Sequence, residues 1–199
     1  MYLFVGAHPD DIEIGSGGFL IKSLEEKKEC FVIVFSDCEE QKGNKGISKE
    51  FKKAMETLGV KYKLYHLKNT KLPKNSEKIR KILEKIKKEK KPELIITHSL
   101  SSIHQDHKTV AEECRRVFRF ESLISYEDPK STRKFNPSLY VPLSEKMLNK
   151  KIEILNIYQT QKRRSYFGPE IFKTIARKRG IECGIIYAEA YEIVRLIKK

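Results

Sequence analysis

Two short segments of this 199-residue chain hold the residue types that metal-assisted hydrolysis needs. The first is Ala7-His8-Pro9-Asp10-Asp11-Ile12-Glu13-Ile14-Gly15-Ser16-Gly17-Gly18, and the second is His104-Gln105-Asp106-His107. Their imidazoles and carboxylates are nitrogen and oxygen donors suited to a divalent transition metal. Two histidines and one aspartate leave a coordination position open for water, which is the catalytic pattern. Asp10 and Asp11 are adjacent and do not easily aim at one point, so one can ligate while the other faces the water. Pro9 restricts the backbone and helps to fix that split. Gly15, Gly17 and Gly18 let the chain bend close to a ligand. Each segment alone has a plainer reading. His-Pro-Asp-Asp serves as a turn and helix cap, and a lone His-x-x-His is common on surfaces. The glycine run lacks the following Lys-Ser/Thr of a phosphate loop and does not fit G-x-G-x-x-G. The pair of segments is what points to chemistry. His66 and His98 are read as structural, with His98 near enough to line the crevice.

The elements that must bring these segments together alternate along the chain. Strands are expected at Tyr2–Gly6, Cys30–Phe35, Lys63–Leu67, Leu94–Thr97 and Leu123–Tyr126. Helices are expected at Gly17–Lys28, Ser48–Leu58 ended by Gly59, Ser76–Lys90 with Ser76 as its cap, and Asp106–Phe118. The rhythm changes after residue 128. A long loop over Asp128–Pro142 ends in a short strand. Helices follow at Ser144–Tyr158 and Pro169–Arg179, then a strand at Ile185–Tyr187 and a closing helix at Ala188–Ile197. Strands apolar on both faces and separated by helices predict a Rossmann-like α/β fold, with a mostly parallel sheet covered on both sides. Residues 1–199 read as one domain. Open parallel sheets bind ligands at the carboxyl ends of strands, where the strand order reverses. In the order 3-2-1-4-5, strands one and four meet at that reversal. Both motifs follow those two strands, so the topology gathers His8, Asp10, Asp11, His104, Asp106 and His107.

Composition narrows the classes. Hydrophobic residues are 39% and charged residues 34%, which suits a globular chain. No apolar run approaches the ~18–20 residues that cross a bilayer. The N-terminus reads as a strand, not a signal peptide, so a cytoplasmic location is the expectation. Cys30, Cys38, Cys114 and Cys183 form no C-x-x-C pair and read as reduced, mostly buried thiols. The net charge of +14 admits an anionic substrate. Much of the lysine lies in amphipathic runs with Glu, such as Lys81–Lys88, which look like solvated helix faces. No nucleic-acid partner is expected, since no reading helix, aromatic-studded basic strand or zinc finger is present.

The two motifs resemble those of the LmbE-like or PIG-L-like N-acetylglucosaminyl deacetylases, A-H-P-D-D-x-x-x-G-x-G-G and H-x-D-H. Tyr126–Thr132, Phe135-Asn136-Pro137, Tyr158-Gln159-Thr160-Gln161 and Arg179–Ala190 resemble a branch of the same family. The resemblance implies that His8, Asp11 and His107 hold the metal, Zn2+ or another divalent ion such as Fe2+ or Co2+. It implies that Asp10 is the general base for the metal-bound water. His104 then stabilises the oxyanion or protonates the leaving amine, with Asp106 as its orienting partner. The implied reaction removes an N-acetyl group from an N-acetylglucosamine-type sugar or conjugate. Alternatives are an amidase or esterase with a non-sugar substrate, and a metal-binding relative without turnover. A homo-oligomer fits equally well. Ser102 stands where relatives often carry Asp, which touches substrate contacts more than metal binding. Arg179 and Tyr187 are candidates to hold sugar hydroxyls or a phosphate.

Overall fold

The computed structural model describes residues 1–198. Its first strand, β1 (Tyr2–Gly6), is followed by α1 (Asp11–Glu25), β2 (Cys30–Val34), α2 (Ile47–Leu58) and β3 (Lys61–Leu64). Then come α3 (Ser76–Lys90), β4 (Leu94–His98), α4 (Gln105–Val117) and β5 (Ser122–Tyr126). The last part holds β6 (Leu139–Pro142), α5 (Glu145–Leu155), α6 (Pro169–Glu182) and β7 (Ala188–Arg195).

The strands form one sheet in the order β3-β2-β1-β4-β5-β7-β6. The first five are parallel, and β7 runs antiparallel between β5 and β6. Alternation along each strand feeds two cores. Phe4, Val32 and Val34 pack with residues of α1, α2, α5 and α6. Leu3, Val5 and Ile33 pack with Ile79, Leu83 and Ile86 of α3 and with Val110 and Cys114 of α4. This is the expected Rossmann-like sandwich. The strand order reverses between β1 and β4, so the loops leaving both strands open into one crevice. All four cysteines are free, three of them buried.

Four expectations are corrected. The strand expected at Ile185–Tyr187 is an irregular turn that leads into β7. The segment at Ala188–Ile197, rich in Ala and Glu, was expected as a helix but is the strand β7. Ladders to β5 and β6 satisfy its backbone on both sides, and this tertiary gain overrides weak helix propensity. The first helix starts at Asp11, not Gly17, and bends at Ser16 (φ −146, ψ 17). Ser76 does not cap α3. Asn75 stands at that position without a side-chain bond, because a 3-10 turn over Leu72–Asn75 leads straight into the helix.

Outside partners sustain the bend in α1. The freed N–H groups of Gly18 and Phe19 each donate to the Glu189 carboxylate at 2.7 Å. Lys151 Nζ donates to the Ile14 carbonyl at 2.6 Å and pairs with Glu189 at 2.7 Å. Both charged side chains are buried. At the break, the Gly18 and Phe19 N–H groups and the Ile14 carbonyl thus keep partners outside the helix. Gly15 is required here, because a Cβ would run into the Tyr126 ring and the Glu127 carbonyl oxygen.

Candidate active site

The loop after β1 presents His8, Asp10 and Asp11, and the loop after β4 presents His104 and the start of α4. Asp11 Oδ2 accepts the backbone N–H of Ala7 at 3.1 Å and of His8 at 2.7 Å. It also lies 3.2 Å from His98 Nε2. That oxygen is saturated, and its twin Oδ1 faces His107 Nε2 at 3.4 Å. His8 Nδ1 lies 3.2 Å from His107 Nε2 and 3.4 Å from the Asp11 carboxylate. The three residues thus form a triangle of contacts at 3.2–3.4 Å, which runs through both Asp11 oxygens: Oδ2 toward His8 and Oδ1 toward His107. Tetrahedral zinc with bonds of ~2.0–2.1 Å sets its ligands about 3.3 Å apart. The donor set fits a divalent cation in type.

The ring tautomers agree with this. His8 Nε2 donates to Asp106 Oδ2 at 3.1 Å, so loss of the proton on Nδ1 would free that nitrogen for a cation. His107 Nδ1 faces Ser131 Oγ at 3.3 Å and Asp128 Oδ2 at 3.4 Å, which leaves its Nε2 bare. Carboxylates behind ligand imidazoles fix ring orientation and raise ligand basicity. Burial opposes a charged His8, but Asp11 and Asp106 outweigh it and raise its pKa to about 10.

Asp10 occupies the N-cap of α1 in the left-handed region (φ 79), with no side-chain cap bond. Aspartate tolerates that conformation better than most residues. Asp10 is buried and lines the crevice beside the triangle. Burial, with Asp11 and Glu13 adding repulsion, holds its pKa well above the usual carboxylate range.

His104 caps α4, its Nδ1 accepting the Asp106 N–H at 3.2 Å. The ring hydrogen consequently sits on Nε2. Burial, then the neighbouring His107 and His8, lower its pKa to about 4, so the ring is neutral. The expected carboxylate partner for His104 is a correction. The Asp106 carboxylate instead binds His8 and the backbone N–H groups of Thr70 and Leu72. At the start of α4 its side chain turns inward, toward the loop that precedes α3.

Other expectations separate in the same way. His98 is fully buried behind Asp11, stacked on His107 at 4.0 Å between centroids. Two sets of donor atoms lie close enough together to hold one ion, His8 with His104 and His107 and Asp11 with His98 and His107, and His107 is common to both. His98 Nε2 is engaged by Asp11 and lies 3.3 Å from Tyr126 Oη, so this ring supports the triangle from behind. His66 is exposed and paired with Asp37. Ser102 is buried against Ser131 and the His104 backbone rather than open to a substrate. Arg179 is a packing residue: it binds Glu127 and Glu182 beneath the Phe135 ring. Tyr187 lies with Lys173 and Arg177 on a different part of the surface.

Sequence reasoning gave no role to Asp128 or Ser131 and read His98 as structural. The signal was available for Asp128, which follows β5 at the same sheet edge. The crevice spans about 650 Å3, including space open to solvent. Its lining also includes Asn44, Thr70, Lys130, Gln161, Arg164 and Tyr166.

Residues 3–118, more than half of the chain, match the family model described as PIG-L: GlcNAc-PI de-N-acetylase. The chain belongs to the PIG-L family. Both motifs fall inside the matched stretch. Among solved structures, the fold is shared with N,N'-diacetylchitobiose deacetylase from Pyrococcus horikoshii, with a TM-score of 0.83 and 20% identity over 97% of this chain and 83% of that one. It is shared with the zinc-inhibited form of the teicoplanin deacetylase Orf2, at 0.77 and 14% over 96% of each chain. It is also shared with GalB, the 4-carboxy-2-hydroxymuconate hydratase from Pseudomonas putida, at 0.76 and 16% over 100% of this chain and 98% of that one. At these identities the likeness is one of fold, and the third case has a different reaction on the same scaffold. Among the described residues, no helix is long and apolar enough to cross a membrane.

Proposed function

We propose that this PIG-L family member is a metal-dependent hydrolase that removes the N-acetyl group of an N-acetylglucosamine-type sugar or sugar conjugate. The observation that carries this reading is the convergence of His8, Asp11 and His107, with His8 Nδ1 3.2 Å from His107 Nε2 and each of these nitrogens 3.4 Å from an Asp11 oxygen, beside a buried Asp10 that makes no side-chain cap bond. Those three residues would hold zinc, or another divalent ion such as Fe2+ or Co2+. When bound, such an ion lowers the pKa of its water toward ~7 and polarises the amide carbonyl.

The protein's own groups supply the rest. Asp10 accepts a proton from the attacking water as the new C–O bond forms. The hydrogen on His104 Nε2 donates to the developing oxyanion. As the C–N bond breaks, the proton gathered by Asp10 passes to the departing nitrogen, so that acetate and a free amine leave. Asp106 holds His8, and Asp128 with Ser131 holds His107, so the ligand rings need little reordering.

The test pairs metal analysis with acetate release from N-acetylglucosamine conjugates and from N-acyl amino acids. The reading expects about one ion per chain and release from the sugar substrates. Release from the acyl amino acids alone, or from neither, would overturn it.

A further inference from the structure

The sheet edge opposite the crevice has its own distinctive surface. There the amino ends of β4 and β5 meet the last turns of α3 and α4, the full length of the strands away from the two motifs. Phe120 stands in the turn between α4 and β5 and is 77% exposed, whereas Phe118, two residues earlier, is fully buried. The turn is held in place. Arg195, at the end of β7, donates through Nε to the Glu121 carbonyl at 3.0 Å and through Nη2 to the Phe118 carbonyl. The Ile197 N–H donates to Ser122 Oγ at 3.0 Å. The segment after β7 therefore runs along this turn and sets Leu196 and Ile197, 54% and 37% exposed, beside it.

Cations surround this apolar cluster. Arg115, Arg116 and Arg119 share a shallow concavity with Phe120 and Arg195. Lys87, Lys88 and Lys91 continue the surface past Arg116 and Arg119. Glu121 and Glu113 take up Lys87 and Arg116. Among the described residues, no carboxylate pairs with Lys88, Lys91, Arg115 or Arg119, although Glu84 and Glu112 border the same surface. Helix ends attract cations, because their last carbonyls carry partial negative charge. That accounts for Lys87, Lys88, Arg115 and Arg116 in the last turns. It does not account for Arg119, which lies beyond α4, or for a large aromatic ring held out in solvent.

Exposed apolar side chains ringed by unpaired cations supply the two signals that together hold a protein at an anionic bilayer. The apolar groups enter the headgroup boundary, and the charges meet the anionic lipids. Long Arg and Lys stems lie along such a boundary and keep their heads at its polar side. Nucleic acid fits less well, because Leu196 and Ile197 offer no ring on which a base could stack.

We infer that this edge docks on an anionic lipid surface. Phe120, Leu196 and Ile197 enter the bilayer boundary, and Lys88, Lys91, Arg115 and Arg119 face the headgroups. The crevice opens at the opposite edge, so the docked protein turns it toward the aqueous side. The bilayer is then an anchor and does not present a substrate to the site.

The protein has no tryptophan, so Phe120→Trp supplies a single indole. On vesicles of phosphatidylcholine with phosphatidylserine, its emission should move to the blue and be quenched by brominated acyl chains. Ile103→Trp, at a position 65% exposed in the loop after β4, should stay unquenched. In co-sedimentation, the unaltered protein should partition onto these vesicles at least about tenfold more strongly than onto phosphatidylcholine alone. The difference should shrink as salt rises. Phe120→Ser, and separately Arg115→Gln with Arg119→Gln, should each lower the partitioning by about tenfold with Tm unchanged. If Phe120→Ser fails to fold, Leu196→Ser reads the same loss. Equal partitioning onto neutral vesicles, quenching at residue 103 in place of residue 120, or binding to single-stranded RNA with none to vesicles would overturn the assignment.

Discussion

At the scale of single residues, the site separates groups that would hold a cation from groups that would move a proton. Asp11 is locked by the backbone of its own loop, whereas the neighbouring Asp10 makes no side-chain cap bond and is held above the usual carboxylate range. Asp10→Asn should therefore lower kcat by ~10²–10⁴-fold with metal content unchanged. Asp11→Asn should lose the metal. Metal analysis beside single-substrate kinetics separates the two outcomes. His8 gives a pH prediction for the metal-free protein. Its folded pKa, about 10, lies above its ordinary 6.5. The stability it contributes is thus fully present below pH 6.5 and is lost as pH rises through about 10. Chemical denaturation of metal-free protein across that range should show the decline, and His8→Asn should flatten it. The paired motifs were legible because their residue types are rare in combination. Asp128 could have been found from its place after β5, but Ser131 could not, because its contact with His107 exists only once β5 lies beside β4.

At the scale of elements, the broken helix α1 is the device that sets the first motif. Its break depends on Lys151 from α5 and Glu189 from β7. Removing one member of a buried ion pair leaves the other uncompensated, typically at ~3–5 kcal/mol. Glu189→Gln and Lys151→Met should each destabilise by roughly that amount in urea titrations. The double variant should recover part of the loss, because no lone charge then remains. The same contacts explain why two elements were misread. The run Ala188-Glu189-Ala190 has helix-forming composition, and nothing in it announces a strand whose glutamate reaches α1. The glycines of the first motif look like a loop, yet they continue a helix whose missing bonds come from a distant segment. The remaining helices were legible because their apolar spacing alone decides which side they bury.

At the scale of the whole molecule, strand order does the assembling. The reversal between β1 and β4 was expected from a common topology, and the observed order β3-β2-β1-β4-β5 contains it. The antiparallel pair β7 and β6 extends the sheet past β5, and the sequence rhythm did not foretell it. A cation tying the loop after β1 to the start of α4 should stabilise the fold as a whole. At a ligand concentration of ~100 times Kd that linkage is worth ~2.7 kcal/mol, or roughly 5–10 °C in Tm for a chain of this size. Chelation should lower Tm by about that amount, and zinc should restore it. A Tm indifferent to chelator in protein that retains metal would place the ion elsewhere.

The most direct measurement is a crystal structure of zinc-loaded protein with anomalous data. The account predicts one strong peak ~2.0–2.2 Å from His8 Nδ1, the Asp11 carboxylate and His107 Nε2, with Asp10 beside the open position. A peak on other residues, or rings of His8 and His107 turned away from a common point, would contradict it.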